Sequence, residues 1–280
     1  MLDNGPVPSR WPIGLRTLWI ATATRLRDRD DVGNSVRMAS SSGLDRARYA
    51  AMRWNTPLSV DHASLLVDRL ELGPGADVLD LGCGWGELLM RAVEASGSGA
   101  RGVGIDNDEQ VLARARALAG ARGLDRRVNF VHAESATWKQ QADRVLCIGA
   151  SHAWPGVEQA LHALARVVRP GGQVLFGEGC WERPPTPAAA ALFGEDVIAL
   201  ANIVRLARAA DWQVLHLSTA DQREWDDFEA TWRRGRQQWL LDHPHHDRSR
   251  DVQDTLDAQL KEYVEVYRGV LGFGYLVLGR

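Results

Sequence analysis

Val78-Leu79-Asp80-Leu81-Gly82-Cys83-Gly84-Trp85-Gly86-Glu87 is the stretch that decides the fold. The apolar run from Ala76 to Leu81 is short and bounded by glycines, which reads as a buried strand, and Glu87 to Ala95 resumes helical spacing. Between them the chain must turn sharply and let a ligand reach the backbone. A Cβ would obstruct both, so the glycines suit the turn. For three glycines alone, a bend that serves only strand-to-helix packing is the competing reading.

Working outward, apolar residues at Ala63, Leu65, Leu66 and Leu70 predict a helix over Asp61 to Leu72, stopped by Gly73-Pro74-Gly75. Downstream, strands are predicted at Gly102 to Ile105, Val128 to Ala133, Arg144 to Ile148 and Gln173 to Phe176. Helices are predicted at Glu109 to Ala121 and Val157 to Val168, with a turn at Arg169-Pro170-Gly171-Gly172. Strands that alternate with helices imply right-handed crossovers and a parallel sheet covered on both faces. After Gly177 the rhythm breaks. A Pro-rich link from Arg183 to Pro187 leads to a helical stretch ending at Ala210, then a strand-like Gln213 to Leu217. Two polar helices, Glu224 to Leu241 and Asp251 to Tyr267, carry an aromatic stripe that includes Trp225, Phe228 and Trp232, and Gly272 to Leu278 has the β character of a last strand. The fold expected is a doubly wound α/β domain, with a mostly parallel seven-stranded Rossmann-like sheet and a helical insertion or cap at 222–268. That domain covers 46–280. Residues 1–45 show no sustained apolar period and are expected to form a mobile N-terminal extension, and Met38 offers a shorter start.

A chain of 280 residues with 45% hydrophobic content buries one substantial core. Its 33 basic and 36 acidic residues give a net charge of −3, which offers no attraction for a polyanion, and no basic patch with interleaved aromatics is present. Nucleic acid is therefore not expected as a partner. Three widely spaced cysteines, Cys83, Cys147 and Cys180, argue against a disulfide framework or a zinc site, and no apolar run reaches bilayer length. A cytoplasmic protein is expected; a homodimer is left open.

The glycines at 82, 84 and 86 do not follow the G-x-G-x-x-G spacing of a dinucleotide loop. Asp80 places a carboxylate just before the bend, where it would repel a pyrophosphate but could accept hydrogen bonds from an ammonium group or order water. Asp106 ends the second strand, where an α/β nucleotide site presents a carboxylate to ribose hydroxyls; capping the next helix is the alternative.

Asp80-x-Gly82-x-Gly84-x-Gly86 followed by Gly104-Ile105-Asp106 closely resembles the class I S-adenosylmethionine-dependent methyltransferase family, over roughly Trp54 to Phe176. The resemblance implies that S-adenosylmethionine is the cofactor, with Gly82, Cys83 and Gly84 against its amino acid part. By the same resemblance Asp106, with Asn107 beside it, binds the ribose, Glu134 and Ser135 meet the adenine, and Ile148 lines the pocket. Trp54 would belong to an N-terminal segment folded over the cofactor. For Glu134 a solvated turn acid is the alternative reading.

A small-molecule acceptor, methylated at oxygen or nitrogen, is the expected substrate. Methyl transfer from a sulfonium needs alignment more than a nucleophile, and a general base helps where the acceptor is a hydroxyl or protonated amine. His152, in the loop after the fourth strand, is the candidate, since histidine titrates near neutral pH; a helix cap or a bond to a loop carbonyl is the other reading. Trp154 and Trp181 could form an aromatic wall for the acceptor, or could be core. His243, His245 and His246 have no carboxylate or thiol at metal-site spacing and read as a solvated loop, with no metal expected. Asp226, Asp227 and Glu229 read as an exposed acidic face. Two other classes remain: a non-catalytic S-adenosylmethionine-binding regulator or scaffold, and a nicotinamide-dependent oxidoreductase, which the glycine spacing and Asp80 disfavour.

Overall fold

The computed structural model describes Tyr49 and residues 51–280; the expectations for 1–45, including the start at Met38, lie outside the described residues. The elements follow in the order α1 (Val60–Arg69), β1 (Asp77–Leu81), α2 (Glu87–Ala95), β2 (Arg101–Asp106), α3 (Glu109–Ala121), β3 (Val128–His132) and β4 (Ala142–Ile148). Then come α4 (Val157–Val167), β5 (Val168–Trp181), α5 (Pro187–Phe193), α6 (Leu200–Ala209), β6 (Gln213–Thr219), α7 (Gln222–Asp242), α8 (Ser249–Glu262) and β7 (Leu271–Gly279). A π-helical turn, Tyr263–Tyr267, closes α8.

The seven strands form one sheet in the order β3-β2-β1-β4-β5-β7-β6. Pairs from β3 to β5 are parallel, and β7 runs antiparallel to both of its neighbours. Alternate strand residues feed two cores. Val78, Leu146, Leu175 and Tyr275 pack with α1, α2, α3 and the aromatic stripe of α7, while Leu79, Val145, Phe176 and Leu278 pack with α4 and α6. The interleaving is the period-two signature of a sheet covered on both faces. All nine residues of β7 are buried, because this strand lies between β5 and β6 rather than at an edge.

Three expectations are corrected. β5 does not end at Phe176: pairing with β7 carries it through Gly177, Glu178 and Gly179 to Trp181. The predicted turn at 169–172 is an irregularity inside that strand, with Gly171 at φ +76° and its amide on the Arg280 carbonyl. Of Asp226, Asp227 and Glu229 on α7, only Asp227 stays exposed. Asp226 pairs with Arg268 at 2.8 Å and accepts from the Tyr263 hydroxyl at 2.6 Å, while Glu229 is buried against Arg233 and the Tyr267 hydroxyl, each at 2.8 Å. Apart from Arg233, one helical turn away, the partners Tyr263, Tyr267 and Arg268 arrive from positions remote in sequence.

Candidate active site

The bend after β1 is held to the end of β2, where the Gly82 and Cys83 amides donate to the Ile105 carbonyl at 2.8 and 2.9 Å. Its glycines serve different ends. Gly84 sits at φ +53°, and a Cβ there would meet nothing within 4 Å, so its outer face is open. Gly86, at φ +70°, starts α2, and a Cβ there would overlap the Phe130 ring on β3. A side chain at 84 would occupy ligand space; one at 86 would push α2 off the sheet. The Cys83 sulfur is turned back against β2, so that a Cβ at Gly104 would come within 2.8 Å of it. The open side of the bend is therefore largely backbone.

Two carboxylates flank this backbone. Asp80 is only 5% exposed, and burial, reinforced by the nearby Asp106, pushes its pKa up to about 8. Both influences act in the same direction, so a cation bound beside Asp80 would relieve them. Asp106 accepts from the Gly84 amide at 2.8 Å and from the Asp108 amide at 3.0 Å; burial raises its pKa while these amides pull it back. The cap of α3 is Asp108, which accepts from the Gln110 amide at 2.8 Å, so Asp106 does not serve as that cap. Asn107 donates to the exposed Glu134 at 3.3 Å, and His132 meets the Asn107 carbonyl at 3.0 Å, which joins the ends of β2 and β3. Ser135, buried, opens a short 3-10 turn, and Ile148 ends β4 half-buried. Asp80, Gly82, Cys83, Gly84, Gly86, Asp106, Asn107, Glu134, Ser135 and Ile148 thus gather along the carboxyl edge of four adjacent strands.

The segment before α1 is docked beside the bend. Arg114 of α3 donates to the Tyr49 and Met52 carbonyls at 2.8 and 2.7 Å and covers the Trp85 ring at 4.3 Å, while the Trp85 indole donates to the Arg53 carbonyl. Trp54 donates to the Leu58 carbonyl, with the Arg91 guanidinium of α2 at 5.3 Å from its ring. His62, Ser218 and Glu224 tie this side together: His62 Nε2 meets the Ser218 hydroxyl at 2.7 Å and Nδ1 meets Glu224 at 3.1 Å.

Beyond Gly149, whose amide donates to the Gly177 carbonyl at 2.8 Å, the chain makes a 3-10 turn over Ser151–Ala153. A cavity of about 230 Å³ opens here, lined by Gly149, Ser151, His152, Glu178, Val197 and Ile198 among others. His152 is exposed at its edge, yet the packing around its ring lowers its pKa; a bond to the Gly149 carbonyl and the charge of Asp106 act against that shift. The loop that carries His152 packs on the bend at Ala150, which a Cβ on Gly82 would approach to 2.5 Å. Trp154 and Trp181 do not form one wall. Trp181 lies in the core shared with α1 and α7, edge-on to Phe193 at 5.8 Å, whereas Trp154 packs with α4 on the opposite face. They diverge because β5 runs on through Trp181, which fixes that side chain to one face. The cavity likewise takes no residue from 222–268; the segment between α5 and α6 covers it.

Glu178 escaped the sequence reading. Its signal was a single acid between Gly177 and Gly179 in an otherwise apolar run, masked by placing the end of β5 too early. Among the described residues, no cluster of His, Cys, Asp or Glu could hold a metal ion, and no helix is long and apolar enough to cross a membrane. His243 stacks on Trp239 at 4.8 Å in an exposed connection.

Strand order, an open glycine bend and carboxylates at the ends of β1 and β2 define a nucleoside-binding, doubly wound fold of the class I methyltransferase type. Residues 78–172 match the family model of the methyltransferase domain. The chain is 31% identical over 233 residues to the uncharacterized protein YjhP of Escherichia coli K12, covering 81% of this chain and 93% of that one. It is 30% identical to S-adenosylmethionine-dependent methyltransferases of Thiobacillus denitrificans and Geobacter sulfurreducens, both solved in complex with S-adenosyl-L-homocysteine. Each comparison covers 85% of this chain and 98% of the other, with TM-scores of 0.75 and 0.76. The chain belongs to the S-adenosylmethionine-dependent methyltransferase family.

Proposed function

We propose that this protein transfers a methyl group from S-adenosylmethionine to oxygen or nitrogen of a small-molecule acceptor held in the cavity beside His152. The observation that carries the reading is the adjacency of two spaces along one sheet edge: the open backbone of the bend, between Asp80 and Asp106, and a cavity of about 230 Å³ lined by Gly149, Ser151 and His152, whose loop packs on the bend through Ala150 against Gly82. A cavity of that volume suits a small acceptor.

The residues present fit the cofactor. The face of Gly84 is clear, and Asp80 is buried where both influences on it favour a cationic neighbour. Gly82, Cys83 and Gly84 offer backbone to its amino acid part, and Asp80 accepts from its ammonium directly or through water. Asp106 and Asn107 hold the ribose; Glu134, Ser135 and Ile148 enclose the adenine, and Trp54 belongs to the docked segment beside the bend. When bound, S-adenosylmethionine supplies an activated methyl on a sulfonium. The chain contributes alignment and exclusion of water, together with a proton acceptor. His152 is suited to that task, since a lowered pKa keeps its imidazole neutral near pH 7.

Calorimetry with S-adenosylhomocysteine tests the cofactor reading, and binding below about 1 mM is expected. Once an acceptor is known, His152→Ala is expected to lower turnover about 100-fold with cofactor affinity unchanged. Full turnover in that variant would remove His152 from the mechanism.

A further inference from the structure

We propose that the cavity between β4, β5 and the segment before α6 selects acceptors that carry a basic nitrogen, and that Glu178 is the residue that holds it. The inference rests on the proposed methyltransferase reading and names its substrate class.

Glu178 sits on β5, on the same sheet face as Phe176 and Cys180, and its side chain lines the cavity. One carboxylate oxygen accepts from the Gly179 amide at 3.2 Å. The other is buried and has no partner in hydrogen-bonding geometry. A buried carboxylate oxygen left unmatched is costly unless something supplies a donor or a positive charge. Burial raises the Glu178 pKa, Ser151 and the Gly179 amide act against that rise, and a cation in the cavity would bring it down further.

The rest of the lining points the same way. Glu158, Glu195 and Asp196 also border the cavity, and no lysine or arginine does. Asp196 is held above its ordinary pKa by partial burial and by Glu195, so the rim is short of positive charge as well. An anionic acceptor would meet only repulsion here. Val157, Val197, Ile198 and Leu206 add apolar surface to the same lining. The combination suits a small amine whose carbon skeleton faces the aliphatic side chains and whose nitrogen faces Glu178. His152 lines the same cavity, so recognition of the charge and uptake of the proton fall to different residues.

The test is calorimetric and needs no turnover. Wild-type protein saturated with S-adenosylhomocysteine is titrated with benzylamine, 2-phenylethylamine and hexylamine, and with the alcohol of each carbon skeleton. At least one amine is expected to bind about tenfold or more tightly than its alcohol, the value of one charge-assisted hydrogen bond. In Glu178→Gln that preference is expected to collapse while S-adenosylhomocysteine affinity stays unchanged. Asp196→Asn, on the open rim, is expected to reduce amine affinity only about twofold, as for a screened surface charge. Three outcomes overturn the proposal: no amine binds, an alcohol binds as well as its amine, or Glu178→Gln retains the preference. Failure of S-adenosylhomocysteine itself to bind would instead sink the cofactor reading, and it is read separately from the amine titrations.

Discussion

Two regions of this molecule bury carboxylates, and they treat them in opposite ways. On α7, Glu224 takes His62, the Ser59 amide and the Asp221 amide, and its pKa falls to about 2; the half-exposed Asp226 takes Arg268 and Tyr263 and also falls to about 2, while Glu229, whose pKa burial raises, is paired with Arg233 and Tyr267. At the carboxyl edge of the sheet, Asp80, Asp106 and Glu178 are held above their ordinary values by burial, and no ion pair involving any of the three is found among the described residues. The paired acids fasten α7 to α1 and to the π-helical turn before β7. Buried acids without an ion pair carry a standing electrostatic cost, which a fold retains where a ligand removes it. The contrast separates structure from site without reference to any relative.

The largest expected effect breaks the contrast on the site side. Asp106→Ala removes both the carboxylate that steadies Gly84 and the acceptor proposed for the ribose. It is expected to weaken S-adenosylhomocysteine binding about 100-fold, roughly 3 kcal/mol, by calorimetry, with a much smaller change in melting temperature. An unchanged affinity would move Asp106 into the structural class. On the other side, Glu224→Ala leaves the Ser59 amide and the buried edge of His62 without their acceptor, and should cost about 2 kcal/mol, a melting temperature lower by roughly 4 to 8 °C, with cofactor affinity intact. The pH dependence sharpens this. Because the Glu224 pKa is lowered from 4.5 to about 2, its contribution is full above about pH 4.5 and is lost as pH falls toward 2. Glu224→Gln should therefore show a shallower acid limb than the wild type when melting temperature is followed by circular dichroism.

Much of the cofactor edge was legible because it depends on local chemistry. Strand, glycine bend and terminal carboxylate lie within short stretches, and Asp80 and Asp106 end adjacent strands that pair in register, Asp80 beside Gly104. The acceptor side depends on how far β5 extends, which is set by pairing with β7, nearly a hundred residues later: Glu178 pairs with Gly274 and Trp181 with Leu271. No local signal reports that pairing, so Glu178 was passed over and Trp181 was assigned to the wrong surface. The acids of α7 were misread for the same reason. Nothing near Glu229 announces that Tyr267 will arrive from beyond α8 to bind it. The aromatic stripe of α7 did declare itself as core through its helical period.

The smallest expected signal bears most directly on why Asp80 is left unmatched. Its pKa is about 8 in the folded, ligand-free protein against 3.8 in a model peptide, so stability is highest where both forms are protonated, below about pH 4. Stability then erodes as pH rises through the window from about 4 to about 8 and levels off beyond. Asp80→Asn escapes that erosion and should melt higher than the wild type at pH 8. A ligand ammonium placed beside Asp80 would favour the carboxylate, so binding S-adenosylhomocysteine at pH 7 should expel a fraction of a proton. Calorimetry in phosphate and in Tris, whose ionisation heats differ widely, reads that fraction directly. The release should shrink above pH 9 and disappear in Asp80→Asn, which should also bind more weakly. Were the observed heat the same in both buffers, Asp80 would be a buried acid that the ligand never meets, and the distinction between matched and unmatched carboxylates would fail at the residue where it is sharpest.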